Sequence, residues 1–367
     1  MEVDGSVEVV KEEGITTARL PLIADPIVKL APNRHKARKV YDRVVKNLNK
    51  NPADKESTLK SERKLQDLGF VAWVEDLPED VQEMLRKSPI QNYLPWRVVH
   101  KASSISTPTR LVFDASQPTD TGYSLNDIVA KGKNSLNALV EIFIRWRFHP
   151  IAFHTDIRTM YNCIRLRKED WCFQRYLFHA DLDPNSEPLD KIVQTIIYGV
   201  SCSGNQAERG LRLTGELNKE KYPEVNEIIR KDIYMDDCLS GEQTEELINQ
   251  RIDELELVTN TGGFTHKGVT ISGKAPDPSL STDGVTISVA GHLWYVEADK
   301  VGLDIKPLNF APKHRGKKRE VISEVPTKLT RKHCASKVGE VFDLTGILTP
   351  ITATFKVDLH DLTVKKT

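Results

Sequence analysis

A chain of 367 residues is long enough for two or three domains. It is 39% hydrophobic and 28% charged, which is the ordinary composition of a soluble globular protein. Lys plus Arg equals Asp plus Glu at 52 each, so the overall charge gives no indication of a polyanionic partner. No apolar run approaches the roughly 18 to 20 residues that span a bilayer, and the N-terminus lacks the apolar core of a signal peptide.

The cysteine pattern bears on location. The five cysteines are odd in number and show no CxxC pair. Reduced thiols are therefore favoured over a disulfide framework or a zinc site, which predicts an intracellular protein without a membrane partner.

The N-terminal part of the chain predicts helices and short strands. Residues 1–33, with several prolines, are predicted to form an extended leader. Apolar residues at helical spacing over 37–48 predict a helix that ends before Pro52, and a second, charged helix follows it. The stretch "NSLNALVEIFIRWRFHP" predicts another helix, capped by Asn134 or Ser135. Strands are predicted in "GFVAWVEDLP", "YLPWRVVHKAS" and "TRLVFDAS".

The middle of the chain predicts an alternation of strands and helices. "HPIAFHTDI" predicts a buried strand ending in Asp156, and "EPLDKIVQTIIYGV" and "QAERGLRLTGELN" predict helices. The hairpin "DIYMDDCLSG" follows, then a helix closed by Gly262 and Gly263, and then the strand "FTHKGVTISG". The order strand, helix, two strands, helix, strand is that of a split βαβ unit, in which antiparallel neighbours share one sheet.

The predicted hairpin contains two adjacent carboxylates, Asp236 and Asp237. Successive side chains on a strand point to opposite faces. At the tip of a tight hairpin, however, both can reach the same space, where they repel unless a cation lies between them. A polar hairpin turn is the alternative interpretation, since Asp is a common turn residue. In a split βαβ unit the first strand ends beside the hairpin tip, so Asp156 is predicted to complete a cluster of three carboxylates.

Such a cluster would have a defined chemistry. Hard oxygen ligands at an open site suit Mg²⁺ or Mn²⁺ better than zinc. Two such ions about 3.5 to 4 Å apart can activate an attacking hydroxyl and stabilise the leaving oxygen in an in-line phosphoryl displacement. Nucleases and polymerases both use this chemistry, so the carboxylates alone leave the choice open.

Several motifs, in order from about residue 18 to residue 365, resemble reverse transcriptases of the BEL/Pao class of long-terminal-repeat retrotransposons. "YMDD" at 234–237 is similar to the family's catalytic hairpin, and "TDIRTMYNCIRL" to the first carboxylate motif of the class. "TRLVFDASQPTDTGYSLNDIVAKG" resembles its finger signature, "YGVSCSG" the segment behind nucleotide and template, and "GGFTHK" the lysine motif. "SKVGEVFDLTGILTPITATFKV" is similar to the post-palm segment.

The resemblance implies a set of metal ligands and a general acid. Asp156 and Asp236 would be the main ligands of two Mg²⁺ or Mn²⁺ ions, with Asp237 in support. The backbone carbonyl of Ile157 would complete the shell of one ion. Lys267 matches a lysine proposed to protonate the pyrophosphate leaving group, and a solvated lysine at a strand end is the alternative.

The resemblance also implies contacts to the incoming nucleotide. Lys101 and Arg110 align with finger cations that hold the triphosphate. Tyr161 matches the aromatic gate that excludes a ribose 2′-hydroxyl. Gly199 and Ser201 would allow a close backbone approach to nucleotide or template. Taken alone, these residues have plainer interpretations, as surface charges, a core aromatic residue and a turn.

Contacts to template and primer are implied at two places. Tyr234 and Met235 would contribute from the hairpin. The run "KPLNFAPKHRGKKRE" at 306–320 is the strongest local basic segment and would add phosphate contacts that depend on salt and not on sequence. Its assigned cations are Lys317, Lys318 and Arg319. A solvated loop is the alternative interpretation.

Three positions depart from the pattern of the class. Gly204 stands where a proline is usual, Gly268 replaces a tryptophan, and Thr345 replaces a proline. These changes concern template positioning and packing, not the metal ligands. They therefore predict a catalytically weakened or domesticated element as the alternative to an active one.

The predicted fold class is α+β, a right-hand polymerase with fingers, a split-βαβ palm and a thumb- or connection-like C-terminal region. The predicted domains are a leader at 1–33, N-terminal helices and fingers at 34–150, a catalytic palm at 151–275, and a primer-grip or thumb-like region at 276–367, truncated before any RNase H. The predicted function is RNA-directed DNA synthesis by the polymerase portion of a polyprotein. Its predicted partners are a template–primer duplex and deoxynucleoside triphosphates, in the cytoplasm within a virus-like particle or in the nucleus. A non-catalytic nucleic-acid-binding relic and a two-metal nuclease are the competing predictions.

Overall fold

The computed structural model describes residues 9–12, 14–100, 108–305, 309–311, 322–340 and 342–364, and in these residues the protein is mixed α+β with several small sheets. The helices are α1 Pro26–Lys29, α2 Arg34–Leu48, α3 Pro52–Asp67, α4 Glu79–Lys87, α5 Leu139–Phe148, α6 Ser203–Asn218, α7 Pro223–Lys231, α8 Glu245–Thr261, α9 Arg331–Val338 and α10 Thr349–Val364. The strands are β1 Val9–Glu12, β2 Ile15–Ala18, β3 Val71–Trp73, β4 Trp96–His100, β5 Thr109–Phe113, β6 Ile151–Ile157, β7 Arg165–Leu166, β8 Arg175–Phe178, β9 Leu189–Val193, β10 Ile233–Tyr234, β11 Asp237–Glu242, β12 His266–Ile271, β13 Thr286–Val289, β14 His292–Tyr295 and β15 Lys300–Leu303.

Four antiparallel strands form the central sheet, in the order β10-β11-β6-β12. After β6 the chain passes through β7 to β9 and then through α6 and α7 before it enters β10. Helix α8 connects β11 to β12. The predicted order of strand, helix, two strands, helix and strand is therefore confirmed, and the sheet has the strand order of a split βαβ unit.

The two faces of the central sheet belong to two hydrophobic cores. Because successive side chains alternate along a strand, Phe153 and Ile157 of β6 join the larger core, whereas Ala152 joins a smaller one. Helices α6, α7 and α8 contribute to the larger core. The smaller core lies between the sheet, α5 and strands β13 to β15, where Trp146 and Trp294 meet edge to face at a ring-centroid distance of 4.8 Å.

The strongly periodic helices agree with the sequence prediction. The helix predicted over 37–48 is confirmed as α2, the charged helix after it as α3, and the helix closed by Gly262 as α8. The predicted helix near 134–150 is confirmed as α5. Its predicted cap at Asn134 or Ser135 is wrong, because the helix begins only after Ala138.

One predicted helix is wrong. In "EPLDKIVQTIIYGV", residues Leu189–Val193 form strand β9, which pairs with β3 on one side and β8 on the other. Its β-branched residues Ile192 and Val193 are fully buried, and such residues pack well on a pleated surface. Helix α7, whose nine residues begin with Pro223 at the first helical position, was not predicted from the sequence.

The segment predicted as an extended leader contains a β-hairpin. β1 pairs with β2 in antiparallel orientation, and β2 also pairs with β7 in parallel orientation. The hairpin is joined to the end of α8, because Lys11 Nζ donates to the carbonyl of Thr261 at 2.6 Å and Thr16 Oγ1 donates to that of Gly262 at 3.1 Å. Ala18 is buried in the larger core.

An ion pair is buried beside the sheet β3-β9-β8. Lys191 of β9 is 0% exposed and Glu62 of α3 is 4% exposed. Lys191 Nζ donates to a carboxylate oxygen of Glu62 and, at 2.6 Å, to Oε1 of Gln66. Nζ also lies 4.1 Å from the ring centroid of Trp73. Tyr176 Oη donates to the same Glu62 oxygen at 3.0 Å, so one carboxylate joins α3 to two strands.

The C-terminal part holds two further helices, α9 and α10, which pack against each other. Within the ranges that the structure covers, none of the helices combines the length and the apolar character needed to cross a membrane. All five cysteines are free thiols.

Candidate active site

The end of β6 and the β10–β11 hairpin bring the predicted carboxylates together. Asp237 is the direct cross-strand partner of Asp156. The backbone N–H of Ile157 donates to the carbonyl of Asp236 at 2.7 Å, which fixes the hairpin tip against the end of β6. The sequence prediction that Asp156 lies beside the Asp236–Asp237 pair is therefore confirmed in its geometry.

The hairpin tip is tight and strained. Tyr234 and Asp237 pair with each other, so only Met235 and Asp236 form the loop. Met235 has a φ of 56°, in the left-handed region that residues other than glycine rarely adopt. Such strain costs on the order of 1 to 3 kcal/mol and persists only where the surrounding structure imposes it. Here the sheet imposes the strain on an exposed residue beside the carboxylates.

The carboxylates are close enough to oppose each other's ionisation. Burial, followed by the charges of Asp236 and Asp237, raises the pKa of Asp156 to about 6. Burial, followed by the charge of Asp237, also raises the pKa of Asp236. This corner of the sheet therefore concentrates negative charge that a cation would relieve.

The donor atoms fit a hard divalent cation in kind, since carboxylate oxygens are what Mg²⁺ and Mn²⁺ prefer. Among the described residues, no three His, Cys, Asp or Glu side chains are already arranged to hold a metal ion by themselves. Mg²⁺ usually binds through one or two carboxylates together with water and substrate phosphates, so a complete protein cage is not required.

The raised pKa of Asp156 predicts that ionisation of this one group destabilises the metal-free protein as pH rises. In the unfolded chain the proton leaves near the ordinary value of 3.8, whereas the folded chain keeps it to about 6. Between these values the unfolded state binds fewer protons, so the free energy of unfolding falls with rising pH. Asp156→Asn removes this term. In EDTA, the urea midpoint of the variant minus that of wild type should therefore increase between about pH 4 and about pH 7. A constant difference between the two proteins over this range would contradict the prediction.

Two predicted cations lie near the cluster. The positive charge of Lys267 opposes the effect that burial and the neighbouring carboxylates have on the pKa of Asp156. The charge of Arg110, on β5, likewise opposes the effect that burial and Asp237 have on the pKa of Asp236. Lys101 falls outside the described residues.

A half-buried histidine, His266, holds β12, and with it Lys267, against β6. The Nδ1 atom of His266 lies 3.0 Å from Thr155 Oγ1 of β6, and Nε2 lies 2.9 Å from Thr259 Oγ1 of α8. Burial lowers the pKa of His266 to about 4, so the ring is neutral at neutral pH and bridges two hydroxyls. The sequence prediction did not single out this residue.

Tyr161 forms an aromatic pair that the sequence prediction missed. Its ring lies 4.0 Å from that of Tyr198, measured between centroids, at an interplanar angle of 43°. Burial, followed by the charge of Asp236, raises the pKa of both hydroxyls, which places both rings beside the carboxylates. Tyr198 directly precedes Gly199, so the motif "YGVSCSG" contained the signal.

The segment after Tyr198 is shaped by backbone packing. Gly199 has a φ of 109°, and an added Cβ would lie 2.4 Å from the carbonyl oxygen of Phe113, so only glycine fits. Asn126 holds both ends of the turn, because its Nδ2 donates to Gly199 O at 2.8 Å and its Oδ1 accepts from Ser201 N at 2.8 Å. The backbone of Gly199 therefore lies close to the backbone of β5.

One of the three departures from the class pattern, Gly268, has a local explanation. At Gly268 an added Cβ would lie 2.4 Å from Ser279 Oγ and 2.6 Å from Asp277 Cγ, so the turn 277–279 occupies the space of a larger side chain. At Gly204 an added Cβ would be in ordinary contact, 3.6 Å from the hydroxyl of Tyr161. Thr345 is exposed, and nothing in the structure explains the change there.

A cleft of about 310 Å³ adjoins the hairpin tip. Its walls include Met235, Tyr161 and the segment 131–136. This segment adds two exposed cations, Lys131 and Lys133, to the neighbourhood of the carboxylates. They were missed because "KGKNSL" carries no periodic signal.

Of the predicted template–primer residues, the structure describes those of the hairpin but not the basic cations near the C-terminus. Tyr234 lies on β10 at the hairpin and is half-buried. The basic cations of 306–320 fall outside the described residues, which include only 309–311 of that run. Lys317, Lys318 and Arg319 therefore stay predictions.

Comparison with known proteins gives no family model that matches this chain and no curated protein that matches it.

Proposed function

We propose that this chain is an RNA-directed DNA polymerase of the BEL/Pao retrotransposon class. In this proposal the central sheet is the palm of a right-hand fold, and the β4–β5 hairpin belongs to the fingers. The observation that carries the proposal is the pairing of Asp237 with Asp156 at the end of β6, with Asp236 bonded at the tip. It supports a carboxylate site of the kind that two-metal nucleotidyl transfer requires.

The metal chemistry would be shared among the carboxylates. Asp156, Asp236 and the carbonyl of Ile157 would hold two Mg²⁺ or Mn²⁺ ions, with Asp237 in support. When bound, these ions would supply Lewis-acid stabilisation of the attacking and leaving oxygens. The raised pKa of Asp156 is consistent with this role, because a cation relieves the repulsion that causes part of the rise.

The surrounding side chains would position the nucleotide. Arg110, whose charge reaches Asp236, supports a contact to the triphosphate, and Lys267, whose charge reaches Asp156, supports a role as proton donor to pyrophosphate. Exposed Lys131 and Lys133 would add phosphate contacts at the cleft beside Met235.

A primer-extension assay tests the proposal. The purified chain is incubated with poly(rA)/oligo(dT), dTTP and either Mg²⁺ or Mn²⁺. Extension that stops when EDTA is added, and that is absent in Asp156→Asn, is the expected result. Binding of the duplex without extension would favour the relic, and cleavage of the template without extension would favour a nuclease.

The relic is the second candidate, and specific positions favour it. Gly204 and Gly268 replace residues expected in the class, and at Gly268 the turn 277–279 leaves no room for the expected tryptophan. Changes of this kind fit an element whose template positioning is weakened. Its partners would be nucleic acids, inside the cytoplasm or nucleus of the host cell.

Tyr161→Ala is expected to weaken sugar discrimination. The ring is held by its tilted contact with the ring of Tyr198, beside the carboxylates, where it would exclude a ribose 2′-hydroxyl. Removal of the ring should raise the ratio of rNTP to dNTP incorporation by about 10- to 100-fold, because a steric pocket contributes about 1 to 3 kcal/mol of discrimination. Tyr161→Phe is the matched control and should keep the wild-type ratio. An unchanged ratio in Tyr161→Ala would leave Tyr161 as a core aromatic residue.

A further inference from the structure

A buried histidine contacts one carboxylate of the cluster. Nε2 of His154, on β6, lies 2.9 Å from Oδ1 of Asp237, on β11. The His154 side chain is 4% exposed and that of Asp237 is 38% exposed, so the contact joins the sheet interior to the open site.

The strand register explains how the two side chains meet. Asp237 is opposite Asp156, and Leu239 is opposite His154. Asp237 is thus the diagonal neighbour of His154 on the same face of the sheet, within reach of a long side chain. His154 and Asp156 of β6 and Asp237 of β11 therefore form a row of polar groups that runs from the smaller core to the carboxylates.

The contact determines which ring nitrogen of His154 carries a hydrogen. An ionised carboxylate only accepts hydrogen bonds, so Nε2 of His154 must carry the hydrogen and donate it to Asp237. Nδ1 is buried and has no hydrogen-bond partner among the described residues. Burying an unpartnered polar atom costs about 1 to 3 kcal/mol, and an apolar residue would avoid that cost. The bond from Nε2 is the one polar contact of the ring that the structure describes, which points to a function at Asp237.

We propose that His154 is a positioning residue for the metal site. It fixes Oδ1 of Asp237 and leaves Oδ2 as the oxygen that can accept a divalent cation. This inference rests on the proposed function, in which Asp237 supports the bound ions. Hydrogen-bonded partners of ligating side chains are known to change metal affinity or activity by about 10- to 100-fold when they are removed.

Mn²⁺ binding without nucleotide tests the inference apart from catalysis. Free Mn²⁺ is measured by electron paramagnetic resonance in the presence of wild type, Asp156→Asn, His154→Leu and His154→Gln. Leu removes the donor and should weaken Mn²⁺ affinity by about tenfold or more. Gln carries an N–H donor at a similar distance along the side chain and should recover most of the loss. His154→Asn, whose amide is too short to reach Oδ1, replaces His154→Leu if that variant does not fold.

A second buried histidine provides the matched control. His292 is 2% exposed, has an unpartnered Nε2 among the described residues, and contacts the rings of Phe143 and Phe342. His292→Leu should lower the melting temperature without changing Mn²⁺ affinity. This separates an effect of buried-histidine packing from an effect of the bond to Asp237.

The possible failures are distinguishable. If wild type binds Mn²⁺ more tightly than Asp156→Asn, but both His154 variants bind as wild type does, the positioning role is overturned and the metal site stands. Equal weakening by Leu and Gln also overturns it, because ring packing would then be the cause. If wild type and Asp156→Asn bind Mn²⁺ equally, the metal site of the proposed function fails and the positioning role fails with it.

Discussion

Asp236→Asn is expected to lower nucleotide incorporation by at least about 100-fold, because metal stabilisation of the transition state contributes several kcal/mol and each 1.4 kcal/mol is about tenfold in rate. The amide keeps the size of the side chain but removes one negative ligand at the hairpin tip. The backbone carbonyl of Asp236, which accepts from Ile157, is unchanged, so the hairpin should keep its place against β6. Incorporation of dTTP on poly(rA)/oligo(dT) measures the loss.

The stability of the same variant gives an independent readout. Burial and the charge of Asp237 raise the pKa of Asp236, so the folded protein opposes its ionisation. A neutral amide at this position avoids that cost, so the melting temperature of Asp236→Asn in EDTA should equal or exceed that of wild type. Asp253→Asn, at an exposed position on α8, is the matched control and should leave incorporation unchanged. Wild-type incorporation by Asp236→Asn would overturn the catalytic assignment.

The sequence predicted the parts of this site that depend on local signals. The apolar run of β6, the tight hairpin and the Gly-closed helix α8 each have a pattern within a dozen or so residues. Once these elements were in order, the split βαβ topology was sufficient to predict that Asp156 lies beside Asp237. The cluster was predictable because topology, and not side-chain packing, brings it together.

The parts that the sequence did not predict depend on distant partners. His154 looks like one more residue of a buried strand until β11 is set beside it, and Tyr198 gains its meaning only from Tyr161. Strand β9 was mistaken for a helix because its spacing of apolar residues suits either element. The lysine at position 191 also indicated an element with an exposed face, since lysine is almost never fully buried without a partner. That partner, Glu62, lies more than a hundred residues earlier in the chain.

Glu62→Ala is expected to reduce the free energy of unfolding by about 3 to 5 kcal/mol, because it leaves a buried ammonium without its counter-ion. Burial already lowers the pKa of Lys191, which means that the interior opposes its charge. After the substitution Gln66 Oε1 and the rings of Trp73 and Phe178 would remain near Nζ, and the charge of Asp76 would still act on it. Urea denaturation followed by circular dichroism measures the loss. Glu83→Ala breaks an exposed pair with Lys87 and should have little effect, because exposed pairs contribute little.

A combined variant tests whether the cost of Glu62→Ala comes from the uncompensated charge. Glu62→Leu with Lys191→Met replaces the ion pair by apolar side chains of similar volume, and Tyr176→Phe removes the hydroxyl that would lose its acceptor. Replacement of a buried pair in this way is often neutral or stabilising, so the combined variant should recover most of the stability that Glu62→Ala loses. A combined variant as unstable as Glu62→Ala would mean that the shape of these side chains, and not their charge, holds α3 against β8 and β9. Helix α3 also packs against β5, which belongs to the fingers in the proposed polymerase, so the combined variant should retain primer extension if the pair serves only the fold.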